Sequence, residues 1–166
     1  MKTALAKLKN PKVAVSIAAG LGLLWAASRG TRARQVALTA SDGSPVVIRG
    51  RQIYAIHPSP YEMNGHQLVR LRVFGLPDPV DVRESLVEVA HRVGGDWVRL
   101  EGIGSWLGCN TSTVPVLIDA SRVVALDASG MRRARDTHQL TDVQMEGGYK
   151  LRVTETLQQV RNLLRM

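Results

Sequence analysis

Side chains able to do chemistry are few in this 166-residue chain, and their spacing assembles no recognised site. His57, His66, His91 and His138 lie too far apart to match a metal-ligand motif, and surface or loop placement is expected for them. Cys109 is the one cysteine, which excludes an intramolecular disulfide and a multi-cysteine zinc site. As a nucleophile it would need a histidine beside it in space. Gly108-Cys109-Asn110 carries no such signature, so a loop thiol is expected. Gly102, Gly104 and Gly108 outline a loose phosphate loop, but the spacing is wrong and Trp106-Leu107 interrupt it. That segment reads as an insertion loop. Asp78 and Asp81 fall at a strand-to-helix joint, where capping is their simplest role. Arg132, Arg133 and Arg135 form the one basic cluster beyond the N-terminal segment, a loop suited to phosphate, lipid head groups or an acidic protein surface. Asp127 and Asp136 flank it and shorten its reach. No catalytic set, metal site or cofactor is expected.

Charge divides the chain sharply. The first 35 residues hold seven cations and no carboxylate, whereas the rest carries 15 basic and 14 acidic groups. A nucleic-acid-binding domain usually bears its excess charge on the folded body, which here is almost neutral. Between Lys12 and Arg29 runs the uncharged stretch 13–28, whose apolar residues include Val13, Ile17, Leu21, Leu23, Leu24 and Trp25. Sixteen helical residues span about 24 Å against a hydrocarbon core of about 30 Å. Snorkelling of Lys12, Arg29, Arg32 and Arg34 and an interfacial Trp25 would make up the difference, so a single membrane span is expected. A signal peptide, a buried core helix and a basic arm inside a particle are the competing readings. Cations at both ends leave the orientation open.

The elements that must position these residues come from an internal duplication. Pro45-Val46-Val47-Ile48 matches Pro115-Val116-Leu117-Ile118, and Gln52-Ile53-Tyr54-Ala55-Ile56 matches Arg122-Val123-Val124-Ala125-Leu126. Farther on, Val82-Arg83-Glu84-Ser85-Leu86 matches Val153-Thr154-Glu155-Thr156-Leu157. Strands are expected at 36–39, 45–48, 53–57 and 67–74, and at 97–100, 115–118, 123–126 and 149–153, with a weaker one around Leu140, Val143 and Met145. Helices are expected at 81–92 and 154–165. The expected fold is α+β: an N-terminal single helix (residues 1–34), then two tandem small β-barrel or curled-sheet units, 35–95 and 96–166, each closed by a C-terminal helix. The halves should superpose, Ile53 on Val123 and Leu86 on Leu157.

The block order resembles that of the small flagellar FlbD family. The matching residues are Val36-Ala37-Leu38, Asp42-Gly43, Val47-Ile48, Ile53 to Ile56 and Val82 to Val89 in the first unit. In the second they are Leu117-Ile118, Val123 to Leu126, Gly147 to Val153 and Glu155-Thr156-Leu157. The resemblance implies a fold and a non-enzymatic role, and it transfers no functional residue.

Together these readings point to a non-enzymatic, membrane-anchored structural or assembly protein. Its duplicated β modules would serve as a protein-interaction platform in a bacterial envelope complex at the inner membrane, or in a phage particle with a virion membrane. Expected partners are membrane lipid, other protein subunits and further copies of the chain in a homo-oligomer. The alternative is a nucleic-acid-binding module with a basic N-terminal arm. Seven aromatic residues in no evident stacking row speak against that alternative.

Overall fold

The computed structural model describes residues 34–132 and 139–166. The first half runs β1 (Val36–Thr39), β2 (Pro45–Ile48), a 3-10 turn (Gly50–Gln52), β3 (Ile53–Met63), β4 (His66–Val73), β5 (Val80–Val82) and α1 (Leu86–Val93). The second runs β6 (Trp97–Ile103), a 3-10 turn (Gly104–Leu107), β7 (Thr113–Asp119), a 3-10 turn (Ala120–Arg122), β8 (Val123–Arg132), β9 (Gln139–Met145), β10 (Lys150–Val153) and α2 (Leu157–Leu164). Apart from the Gly104–Leu107 insertion, the order is the same twice.

Register repeats as well as order. Val36 faces Ile48 in the first half, and Val98 faces Ile118 in the second. Ile53 opens β3 opposite Val73, and Val123 opens β8 opposite Met145; both ladders then shift at the next residue pair. Both helices begin with a capping box, Ser85 with Glu88 and Thr156 with Gln159. The repeated glutamate before each cap has one job in both halves. Glu84 accepts the Thr39 N–H at 3.0 Å, and Glu155 accepts the Glu101 N–H at 2.9 Å, each tying a helix start to the first strand of its unit.

The halves do not close into separate barrels. Eight strands form one antiparallel sheet in the order β5-β4-β3-β7-β6-β10-β9-β8, with β1-β2 as a hairpin. That hairpin joins β5 through an Ala40–Val82 bridge and the Arg83 N–H to Thr39 carbonyl bond. The expected tandem barrels are therefore corrected to a mostly antiparallel β structure with two short helices. The cause is that β3 continues past its own unit to pair with β7, at Ala55–Ile118 and Ile56–Leu117. The helices are shorter than expected because Asp81 lies on β5, facing Arg70, and Ser85 is the cap.

The expected membrane span at 13–28 lies outside the described residues, as do Val13, Ile17, Leu21, Leu23, Leu24, Trp25, Lys12, Arg29 and Arg32. Among the described residues no helix is long and apolar enough to cross a membrane. The inner-membrane and virion-membrane placement, and the phage setting that depended on it, are corrected accordingly.

Two cores result, each covered by its own helix. Val89, Ala90 and Val93 of α1 pack on Ile53, Ile56, Leu71 and Val82. Val160 and Leu164 of α2 pack on Leu100, Val143, Leu151 and Val153. Val123 is only half-buried where Ile53 is fully enclosed, so the two positions are not equally sensitive.

One ion pair holds the same register position in both halves with its signs exchanged. Arg70 on β4 meets Asp81 on β5 at 2.8 Å, and Asp142 on β9 meets Arg152 on β10 at 2.6 Å. The Arg152 hydrogen bonds hold the Asp142 carboxyl below its usual range. Its contribution is thus complete above the ordinary carboxylate pKa and is lost as pH falls through the depressed folded value. Asp142→Ala should cost about 2 kcal/mol, because it removes two charge-assisted hydrogen bonds from a nearly buried guanidinium, which keeps its place over the Trp106 ring at 4.1 Å. The exchange D142R/R152D should recover most of that loss, since the first half already tolerates the pair in that sense. Urea midpoints of the three proteins check this; no recovery in the double variant would show that strand position, not charge pairing, governs the site.

Candidate functional site

The densest set of polar and aromatic groups lies along the seam where β3 meets β7. Tyr54 of the first half and Tyr149 of the second approach with ring centroids 5.5 Å apart. The Arg72 guanidinium covers the Tyr149 ring at 5.0 Å, and Arg122 lies 5.7 Å from the Phe74 ring while donating to the Arg51 carbonyl at 2.9 Å. Burial raises the Tyr149 phenol to about 12 and also raises Tyr54. These groups are joined to one another across the seam, which makes them a clasp between halves.

His57 is the one histidine of the described residues that is fully buried, contrary to the expected surface or loop placement; His66 and His91 are exposed. Its Nδ1–H donates to the Pro58 carbonyl at 2.8 Å, which leaves Nε2 as the unprotonated nitrogen, without a partner. Burial lowers its pKa from 6.5 to about 4, helped by the nearby Arg72 and Arg70 charges. The imidazole is therefore a neutral packing group. His138 lies outside the described residues.

Cys109 follows the Gly104–Leu107 turn, with its Sγ 3.6 Å from the Pro58 carbonyl, and burial pushes the thiol up, away from a reactive thiolate. The glycines nearby answer to packing. A Cβ on Gly102 would come within 2.7 Å of Val116, and one on Gly104 within 1.9 Å of the Thr111 carbonyl oxygen. Side-chain packing at Gly102, close backbone approach at Gly104 and a left-handed cap at Gly108 thus account for the glycine spacing. Asp81 serves its ion pair with Arg70 and caps no helix, which corrects the expected role.

Among the described residues no three His, Cys, Asp or Glu side chains converge as metal ligands. An open depression of about 300 Å³ is lined by Met63, Asn64, His66, Leu68 and Arg83. It brings no acid, base and nucleophile together. Of the expected polar loop, Arg132 ends β8, while Arg133 and Arg135 lie outside the described residues; Arg34 is exposed.

What sequence reasoning missed is the surface at the two ends of the strand order. Val47 on β2 is 62% exposed and Val124 on β8 is 64% exposed. Their signal was present in the repeat, since their counterparts Leu117 and Tyr54 lie at the seam. No family model, curated protein or solved structure matches the chain, so the likeness to the FlbD family rests on the quoted residues alone.

Because His57 binds its proton in the unfolded chain near 6.5 but in the fold only near 4, the fold loses stability as pH falls through that window. The loss should reach about 3 kcal/mol, at about 1.4 kcal/mol per unit. His57→Phe should flatten this part of the pH profile relative to the parent. Parallel slopes for the two proteins between these values would mean that His57 is not the titrating group.

Proposed function

We propose that the duplicated β body is a non-enzymatic structural or assembly module that binds other protein subunits. The observation carrying this reading is the exposure of apolar side chains, Val47 and Val124, on the two outermost strands of the described order. A strand with one free edge and apolar side chains is a ready template for pairing with another chain. Phe74, at 41% exposure, adds a large apolar surface beside the seam.

Four arginines of the body are engaged within the fold. Arg70 and Arg152 pair with carboxylates, and Arg72 and Arg122 lie over aromatic rings. Tyr54 and Tyr149 pack against each other at a tilt of 58°, so this pair supplies no stacking platform for bases. These features favour protein binding over nucleic-acid binding by the β body itself.

A photo-crosslinking residue placed at Val47 or Val124 of the full chain, in cells, should give protein adducts, whereas one at exposed Asn64 should give none. Salt-dependent gel retardation of DNA or RNA by the same chain, with no protein adduct at either valine, would replace this reading by the nucleic-acid one.

A further inference from the structure

The contact that joins the two halves has an unused copy at each end of the molecule. Within each half the strands lie in one spatial order: second, first, fifth, fourth, third. The third strand of the first half, β3, then pairs with the second strand of the second half, β7. This leaves β8, a third strand, and β2, a second strand, each with a neighbour on one side only among the described strands.

We propose that β8 of one copy pairs antiparallel with β2 of a second copy, repeating the β3·β7 contact between chains. This rests on the reading of the body as an assembly module and names its partner as the chain itself. The repeat fixes the register. Ala55–Ile118 and Ile56–Leu117 inside the chain become Ala125–Ile48 and Leu126–Val47 between chains.

Burial follows the same correspondence. At the internal seam Leu117 is fully buried and belongs to the core of the first half, on the far side of the contact from its own unit. Its counterpart Val47 stands 62% exposed. Tyr54 packs against the core of the second half, and its counterpart Val124 stands 64% exposed. Ala55 and Ile56 are fully enclosed, whereas Ala125 and Leu126 are half-exposed. Each open end therefore carries the apolar residue that its counterpart lends to the neighbouring half.

The contact is heterologous, since different strands meet, and it leaves a free β2 and a free β8 on every dimer. Growth continues until a ring closes or a filament forms. Valine at 124 in place of the tyrosine at 54 removes the aromatic clasp from the contact between copies. Association between chains is then weaker than the internal seam and depends on concentration.

Sedimentation velocity of the full chain over a wide concentration range tests this. Mass should rise with concentration through dimer to larger rings or filaments. Val47→Arg blocks β2, and Val124→Arg blocks β8; both positions are exposed, so each variant keeps its fold. Each variant alone should remain monomeric, and a mixture of the two should give a dimer of twice the chain mass, joined through the one intact β8 and the one intact β2. A parent chain that stays monomeric overturns the proposal. So does association that survives both substitutions, or dimerisation of Val47→Arg by itself, which would mark a contact between like edges. Photo-adducts at Val47 with a different protein, and none with the chain itself, would sink this proposal while leaving the broader assembly role standing.

Discussion

Everything in this structure depends on one short antiparallel contact, β3 against β7. Without it neither half owns a complete core. The first core takes Leu117 from the second half, and the second takes Ala55 from the first, with Tyr54 packed against it. The fusion of the two units into one chain holds this contact at a high effective concentration, so two ladder positions and an aromatic clasp suffice. Small units of this length bury too little apolar surface alone, and exchange of core residues across the seam offsets that shortage.

Much of the fold was legible because the duplication repeats short apolar blocks at nearly constant spacing. Val36–Thr39 and Pro45–Ile48 fall where the β-branched runs place them, while the two helices open at the matched Leu86 and Leu157, later than the expected 81 and 154. The three-residue strand Val80–Val82 overlaps the helix expected from residue 81, because Asp81 imitates a cap in sequence while its register partner Arg70 lies on β4. Closure is hidden in the sequence for a similar reason. Whether β3 returns to β2 or passes to β7 is a choice between two partners of nearly the same sequence, Val47-Ile48 and Leu117-Ile118. Periodicity within a strand says which face is buried and nothing about which neighbour buries it.

Several polar residues and glycines of the body have structural occupations. His57 packs as a neutral ring, Glu84 and Glu155 tie helices to strands, Gly102 leaves room for the Val116 and Leu107 side chains, and Gly104 admits the Thr111 backbone. Sequence alone could not separate these duties from catalysis, since each depends on a partner more than forty residues away or on a neighbour's bulk. Thr39 and Glu84, for instance, are joined only after β5 has been laid beside β1.

The exchanged signs of the Arg70–Asp81 and Asp142–Arg152 pairs bear on how such a chain finds its own partners while folding. Tandem units of similar sequence are prone to misassembly in which a strand from one unit invades the other. Were β4 to take β10 in place of β5, Arg70 would confront Arg152; were β9 to take β5, Asp142 would confront Asp81. Both errors would set like charges against each other in a nearly dry position, while both correct ladders join opposites. Two identical pairs would have stabilised the native fold equally well and left the wrong one open.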